Sequence, residues 1–66
     1  MKGPRYKPKV KLVGEDGNAF AIIGRVAVAL RRAGADSEYI EKYRDRATEG
    51  DYNNLLAISM GEITHV

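Results

Sequence analysis

AFAIIGRVAVALRRA, residues 19–33, is the stretch that decides the fold. Phe20, Ile23, Ala27 and Leu30 fall at helical spacing and make one apolar stripe. Ile22, Val26, Ala29 and Ala33 make a second stripe beside it. So wide an apolar surface predicts a central helix that touches neighbours on more than one side. Arg25 and Arg32, seven residues apart, mark its solvent face, with Arg31 on the flank. Gly34 is placed to stop the helix, and the two preceding arginines suit the negative end of its dipole. Gly24 costs about 1 kcal/mol relative to alanine inside a helix, which predicts a close crossing by another element at that point.

Working outward toward the N-terminus, Gly14-Glu15-Asp16-Gly17-Asn18 reads as a turn, because Asp16-Gly17 is turn chemistry and Asn18 suits a helix N-cap. Before it, Lys9 to Val13 alternates, with Val10 and Leu12 on one face and Lys9 and Lys11 on the other, as in a half-buried strand. Pro8 belongs at a strand start or on an edge, since it has no N–H to donate. Residues 1–8 read as a flexible basic arm, and residues 9–66 as a single small α+β domain.

Toward the C-terminus, Asp36 is a cap for a second helix from about Ser37 to Thr48. Its inner face is expected to carry Tyr39, Ile40, Tyr43 and Ala47, with the tyrosine hydroxyls reaching water. Gly50 ends it, and Asp51 caps a third helix with Tyr52, Leu55, Leu56 and Met60 turned inward. Gly61 is expected to break that helix and leave residues 62–66 as a closing strand. The fold class expected is α+β, in the order β-α-α-α-β, with a two-stranded sheet packed against three short helices.

Sixty-six residues bury little core; a chain this short removes only roughly 60% of its unfolded surface from water. It has no cysteine and one histidine, His65, so disulfides and thiolate metal sites are excluded and a zinc cage is disfavoured. With no cysteine and no apolar segment long enough for a membrane span or a signal sequence, the expected location is cytoplasmic, with no membrane partner. The charge is uneven. Residues 1–34 carry eight basic and two acidic side chains, whereas residues 35–66 carry three basic and seven acidic.

The run KLVGEDGNAFAIIGRVAVALRRAG, residues 11–34, together with GDYNNLL, residues 50–56, resembles a family of short bacterial and phage or prophage proteins. The resemblance covers most of the chain beyond residue 10. It implies the fold layout and a link to mobile elements. The family has no established activity, so it implies no catalytic or binding residues.

Each candidate site has a plain structural alternative. The Gly14–Asn18 loop precedes a helix N-terminus, where backbone N–H groups can hold phosphate. Glu15 and Asp16 oppose that, and the spacing matches neither nucleotide-binding glycine motif. The two carboxylates leave a divalent-ion or cationic-partner site as another alternative, although a calcium loop needs several more oxygen ligands, and a turn and cap is the plain reading. The structural turns and caps are therefore Gly14, Asp16, Gly17, Asn18, Gly34, Asp36, Gly50 and Asp51. The second candidate is a nucleic-acid or anion surface of Lys7, Lys9, Lys11, Arg25, Arg31 and Arg32, joined by Lys2 and Arg5 of the arm. Tyr6 is the aromatic interleaved with these charges. The alternative is a solvated basic face. His65, next to the C-terminus, reads as an exposed side chain. No acid–base pair, nucleophile constellation or cofactor motif is present, so neither catalysis nor a cofactor nor a small-molecule substrate is expected.

Two functions follow. The first is a small protein-interaction or regulatory module, phage-derived and self-associating, whose partner is a protein or a second copy. The second is a nucleic-acid-binding accessory protein that uses the basic strand face and the arm.

Overall fold

The structure, a computed structural model, describes residues 1–12 and 19–65; of His65 only the backbone is described. Three helices fill most of it: α1 (Ala19–Arg32), α2 (Ser37–Ala47) and α3 (Tyr52–Glu62). Two short extended segments flank them, β1 (Lys9–Val10) and β2 (Thr64–His65).

The core forms on the inner face of α1, where Ile22, Ile23, Val26, Ala27 and Leu30 are buried. Ile40, Tyr43 and Ala47 of α2 and Leu55 of α3 close over that face, and Val10, Leu12 and Ile63 pack in from the two ends of the chain. Fully burying one large aliphatic side chain is worth about 1.5–3 kcal/mol. Five buried positions therefore outweigh the roughly 1 kcal/mol that Gly24 costs the helix.

The C-terminal end of α1 and the N-terminal ends of α2 and α3 are closed locally. Gly34 adopts φ 107°, a region that favours glycine. There the Ala35 amide donates to the Leu30 carbonyl at 3.0 Å, and the Gly34 amide to the Arg31 carbonyl at 3.0 Å. This is a Schellman closure, and buried Ala35 completes it beside Leu30. The Asp36 and Asp51 carboxylates accept from the Tyr39 and Asn54 amides, each at 2.9 Å, capping α2 and α3. Asn54 also reaches back, its side-chain amide donating to the Arg46 carbonyl near the end of α2 at 3.0 Å. Gly50 lies against this contact. It does not take a left-handed conformation, but a Cβ there would meet the Asn54 side chain at 3.0 Å.

Several expectations are overturned. The α+β class does not hold, because the expected two-stranded sheet is not a layer of this molecule. The extended pairing is parallel and two residues long on each side, Lys9 with Thr64 and Val10 with His65. The described residues form a three-helix fold with its two ends touching. The physical reasons lie at both ends. Pro8 cannot extend the ladder on one side, and α3 runs through Gly61 to Glu62 on the other, which shortens the closing segment. Glu62 holds the last turn of α3 in place: its carboxylate accepts from the Tyr39 hydroxyl at 2.6 Å and from Arg46 at 3.0 Å.

Phe20, expected in the core, is 85% exposed. Tyr52 and Met60 are exposed as well, and the inner face of α3 is Leu55 and Ser59. Nor does the Tyr43 hydroxyl reach water, whereas that of Tyr39 is only partly covered. Tyr39 donates to Glu62, and Tyr43 pairs with the fully buried Ser59 hydroxyl at 2.7 Å. That pair satisfies two buried hydroxyls that would each cost about 1–3 kcal/mol alone. Gly24 marks no close crossing, since a Cβ there would have nothing within 4 Å. The expected turn Gly14–Asn18, with Asp16, Gly17 and the Asn18 cap, lies outside the described residues, as do Val13, Val66 and the His65 side chain.

Candidate anion-binding groove

The basic residues are sorted by two periodicities. On α1, residues three, four and seven apart share a face, so Arg25, Val28 and Arg32 stand together on the side away from the core. In the extended segment before α1, alternate residues point the same way. Val10 and Leu12 are buried, which leaves Lys9 and Lys11 outward.

What brings these two sets together is the docking of the N-terminal residues onto the α1–α2 junction. The Arg5 amide donates to the Ala33 carbonyl at 2.8 Å, and the Asp36 amide donates to the Lys2 carbonyl at 2.9 Å. The Lys2 amide returns a bond to the Asp36 carboxylate at 2.8 Å. Further along, the Thr64 amide donates to the Pro8 carbonyl at 2.9 Å, tying this segment to the C-terminal end. Residues 1–8, expected as a flexible arm, are thus laid back along α1 from its C-terminal end, with Pro8 buried.

Between this segment and α1 lies an open groove of about 610 Å³. Tyr6, Lys9 and Lys11 line one side, and Arg25, Val28 and Arg32 the other. Gly24 and Ala29, both small, also border it. No aspartate or glutamate lines it among the described residues. Four of the six basic residues singled out from sequence therefore share one site. The other two do not. Lys7 borders a different hollow, with Tyr39 and Glu62, and Arg31 is exposed on α1 without lining the groove. Arg5 also stays outside it, its side chain lying against Gly34. Val28 went unnoticed in the sequence because its neighbours in the stripes suggested core; its position beside Arg25 and Arg32 was the available signal.

Other clusters are structural in geometry. A mixed-charge hollow is lined by Met1, Tyr39, Lys42, Asp45, Arg46 and Glu62. Within it the hydrogen bond to Glu62 pushes the Tyr39 hydroxyl above its ordinary value, with burial and the nearby Glu62 charge adding to this. Burial raises the Tyr43 hydroxyl. Among the described residues, no group of histidine and carboxylate side chains is arranged to hold a metal ion. No helix among them is long and apolar enough to cross a membrane.

Comparison with protein-family models, with curated proteins and with solved structures finds no match to this chain. The resemblance to short bacterial and prophage proteins rests on the sequence alone.

The clamp that ties residue 2 to the start of α2 uses the Asp36 carboxylate as acceptor. The Tyr39 amide holds this carboxyl below the usual carboxylate range, the Lys2 amide adding to the effect. A depressed folded-state pKa contributes stability above the unfolded value, about 3.9, and loses it as pH falls through the folded value. Unfolding free energies measured between about pH 5 and about pH 3 are expected to fall more steeply for the native chain than for Asp36→Asn. Parallel curves for the two would show that the clamp does not rely on the charge.

Proposed function

We propose that this protein is a binding protein for nucleic acid, and that the groove beside α1 takes up the sugar–phosphate backbone. The observation that carries this reading is the convergence of Lys9, Lys11, Arg25 and Arg32, from two separate elements, on one groove bordered by no described carboxylate. Cations dispersed for solubility have no reason to converge in this way. Phosphate contacts from lysine and arginine release condensed counterions, so such binding is strong at low salt and weakens steeply as salt rises. Nothing in the arrangement calls for base-specific contacts, so the role proposed is sequence-tolerant and accessory rather than that of an operator-reading regulator. It is a binding role, with no catalytic step proposed.

The test is fluorescence anisotropy with labelled nucleic acid across a salt series that starts at about 50 mM. Four phosphate contacts give a log–log salt slope of about −3 on a single strand. Lys9→Glu and Arg32→Glu, both exposed, are expected to keep the fold and to weaken binding at least about fivefold while flattening that slope by about one. Lys42→Glu, a control outside the groove, is expected to change little. Undetectable binding to DNA and RNA at low salt would contradict the reading.

A second reading has its own observation. Phe20 is 85% exposed and, with Ile23, Gly24, Arg44 and Thr48, borders a shallow hollow of about 320 Å³. An aromatic of this size in water favours self-association through the N-terminal half of α1. Sedimentation at tens of micromolar distinguishes the cases: a dimer that Phe20→Ser dissociates supports it, and a monomer at every concentration refutes it.

A further inference from the structure

We infer that the groove takes single-stranded nucleic acid in preference to duplex, with Tyr6 as the surface on which a base stacks; this rests on the nucleic-acid reading above. Three features of the groove carry the preference. First, its cationic helix face is walled. A helix that reads duplex enters the major groove as a convex rod, in a channel about 12 Å wide. Here residues 6–11 stand alongside α1, and Lys9 and Lys11 face Arg25 and Arg32 across the groove. The arginines cannot enter a duplex groove without carrying that wall in with them. A single strand laid along the groove is within reach of cations from both elements.

Second, the groove presents apolar and aromatic surface among its charges. Tyr6, which borders this groove on one side and the hollow with Lys7 on the other, is 60% exposed, and Val28 of α1 is 52% exposed between Arg25 and Arg32. Duplex stacks its bases internally and has no use for such surface. An unpaired base has a free face, and stacking on an aromatic side chain is the sequence-tolerant way to cover it. Third, Gly24 leaves the groove open where a side chain would narrow it. A Cβ there would touch nothing within 4 Å, so helix packing gives no reason for its absence, and glycine permits close approach of a ligand to backbone.

The groove borders α1 from Gly24 to Arg32, about 12 Å at 1.5 Å per residue. That length suits a few nucleotides, at the short end of the roughly 4–16 covered by other single-strand-binding modules.

The experiment compares three labelled probes by anisotropy at one salt concentration: oligothymidylate of about 16 nucleotides, the same length of duplex, and heparin, a polyanion without bases. Oligouridylate in a parallel arm separates DNA from RNA preference. The native protein is expected to bind the single strand at least about tenfold more tightly than duplex. Tyr6→Ala is expected to weaken single-strand binding about five- to hundredfold, leave duplex and heparin binding unchanged, and retain the native helical circular dichroism. Tyr6→Leu, which keeps apolar bulk without the ring, should behave like Tyr6→Ala, and Tyr6→Phe like the native chain. Equal affinity for single strand and duplex, or single-strand binding indifferent to loss of the ring, would overturn this inference while salt-dependent binding left the proposed function standing. Failure to bind any probe would overturn both.

Discussion

Burial of the inner face of α1 is the constraint on which the other features depend. In a chain this short the core is small, and α1 contributes more buried residues to it than either of the other helices. That helix gains nothing unless its inner face is covered, and α2 and α3 together cover it only in part. The remainder is closed by Val10, Leu12 and Ile63, drawn from the two ends of the chain. Recruiting the ends as core is what sets an extended basic segment beside a helix that is itself basic on its outer face. The groove is thus a by-product of completing a small core, and its charge follows from which side chains the two periodicities leave outside.

The polar contacts lock this arrangement rather than drive it. Asp36 is the junction. Its side chain caps α2 and receives the Lys2 amide, while its own amide binds the Lys2 carbonyl. At the other end, Glu62 gathers Tyr39 and Arg46 of α2 onto the last turn of α3. Surface contacts of this kind are individually worth little, but the first ties residue 2 to the start of α2 and the second ties α3 to α2, elements that the core already fixes. The uneven charge of the sequence maps onto the fold in the same way. The acidic second half supplies α2 and α3, and the basic first half supplies both sides of the groove.

How much of this was legible in the sequence varied with the kind of signal. The end of α1 and the starts of α2 and α3 were readable, because Gly34, Asp36 and Asp51 are strong local punctuation, whereas Gly61 did not end α3. The inner face of α3 was not readable. Its apolar residues are spread around the helix, and the buried position that matters is Ser59, chosen by a hydrogen bond with Tyr43 across 16 residues of sequence. Phe20 shares a helical stripe with core residues yet stands exposed, because periodicity assigns a residue to a stripe and does not say where the covering helices stop. The sheet failed for a similar reason: alternation at Lys9–Leu12 reports an extended segment with one buried side, which is true, but not how far a partner strand runs alongside it. In the groove, the cations were individually evident. Which four of them meet depends on the docking of residues 2–8, through backbone bonds that no side-chain pattern announces.

The central claim is that the covered face of α1 supplies most of the stability of the fold, and the most direct test is a denaturant melt of Leu30→Ala. Leu30 is 0% exposed, and truncating a leucine so buried costs about 2–5 kcal/mol. A loss in that range, enough to unfold much of so small a domain, is the result predicted. A loss below about 1 kcal/mol, with the melt still cooperative, would mean that this face is not covered as described, and the groove built upon it would fall with it.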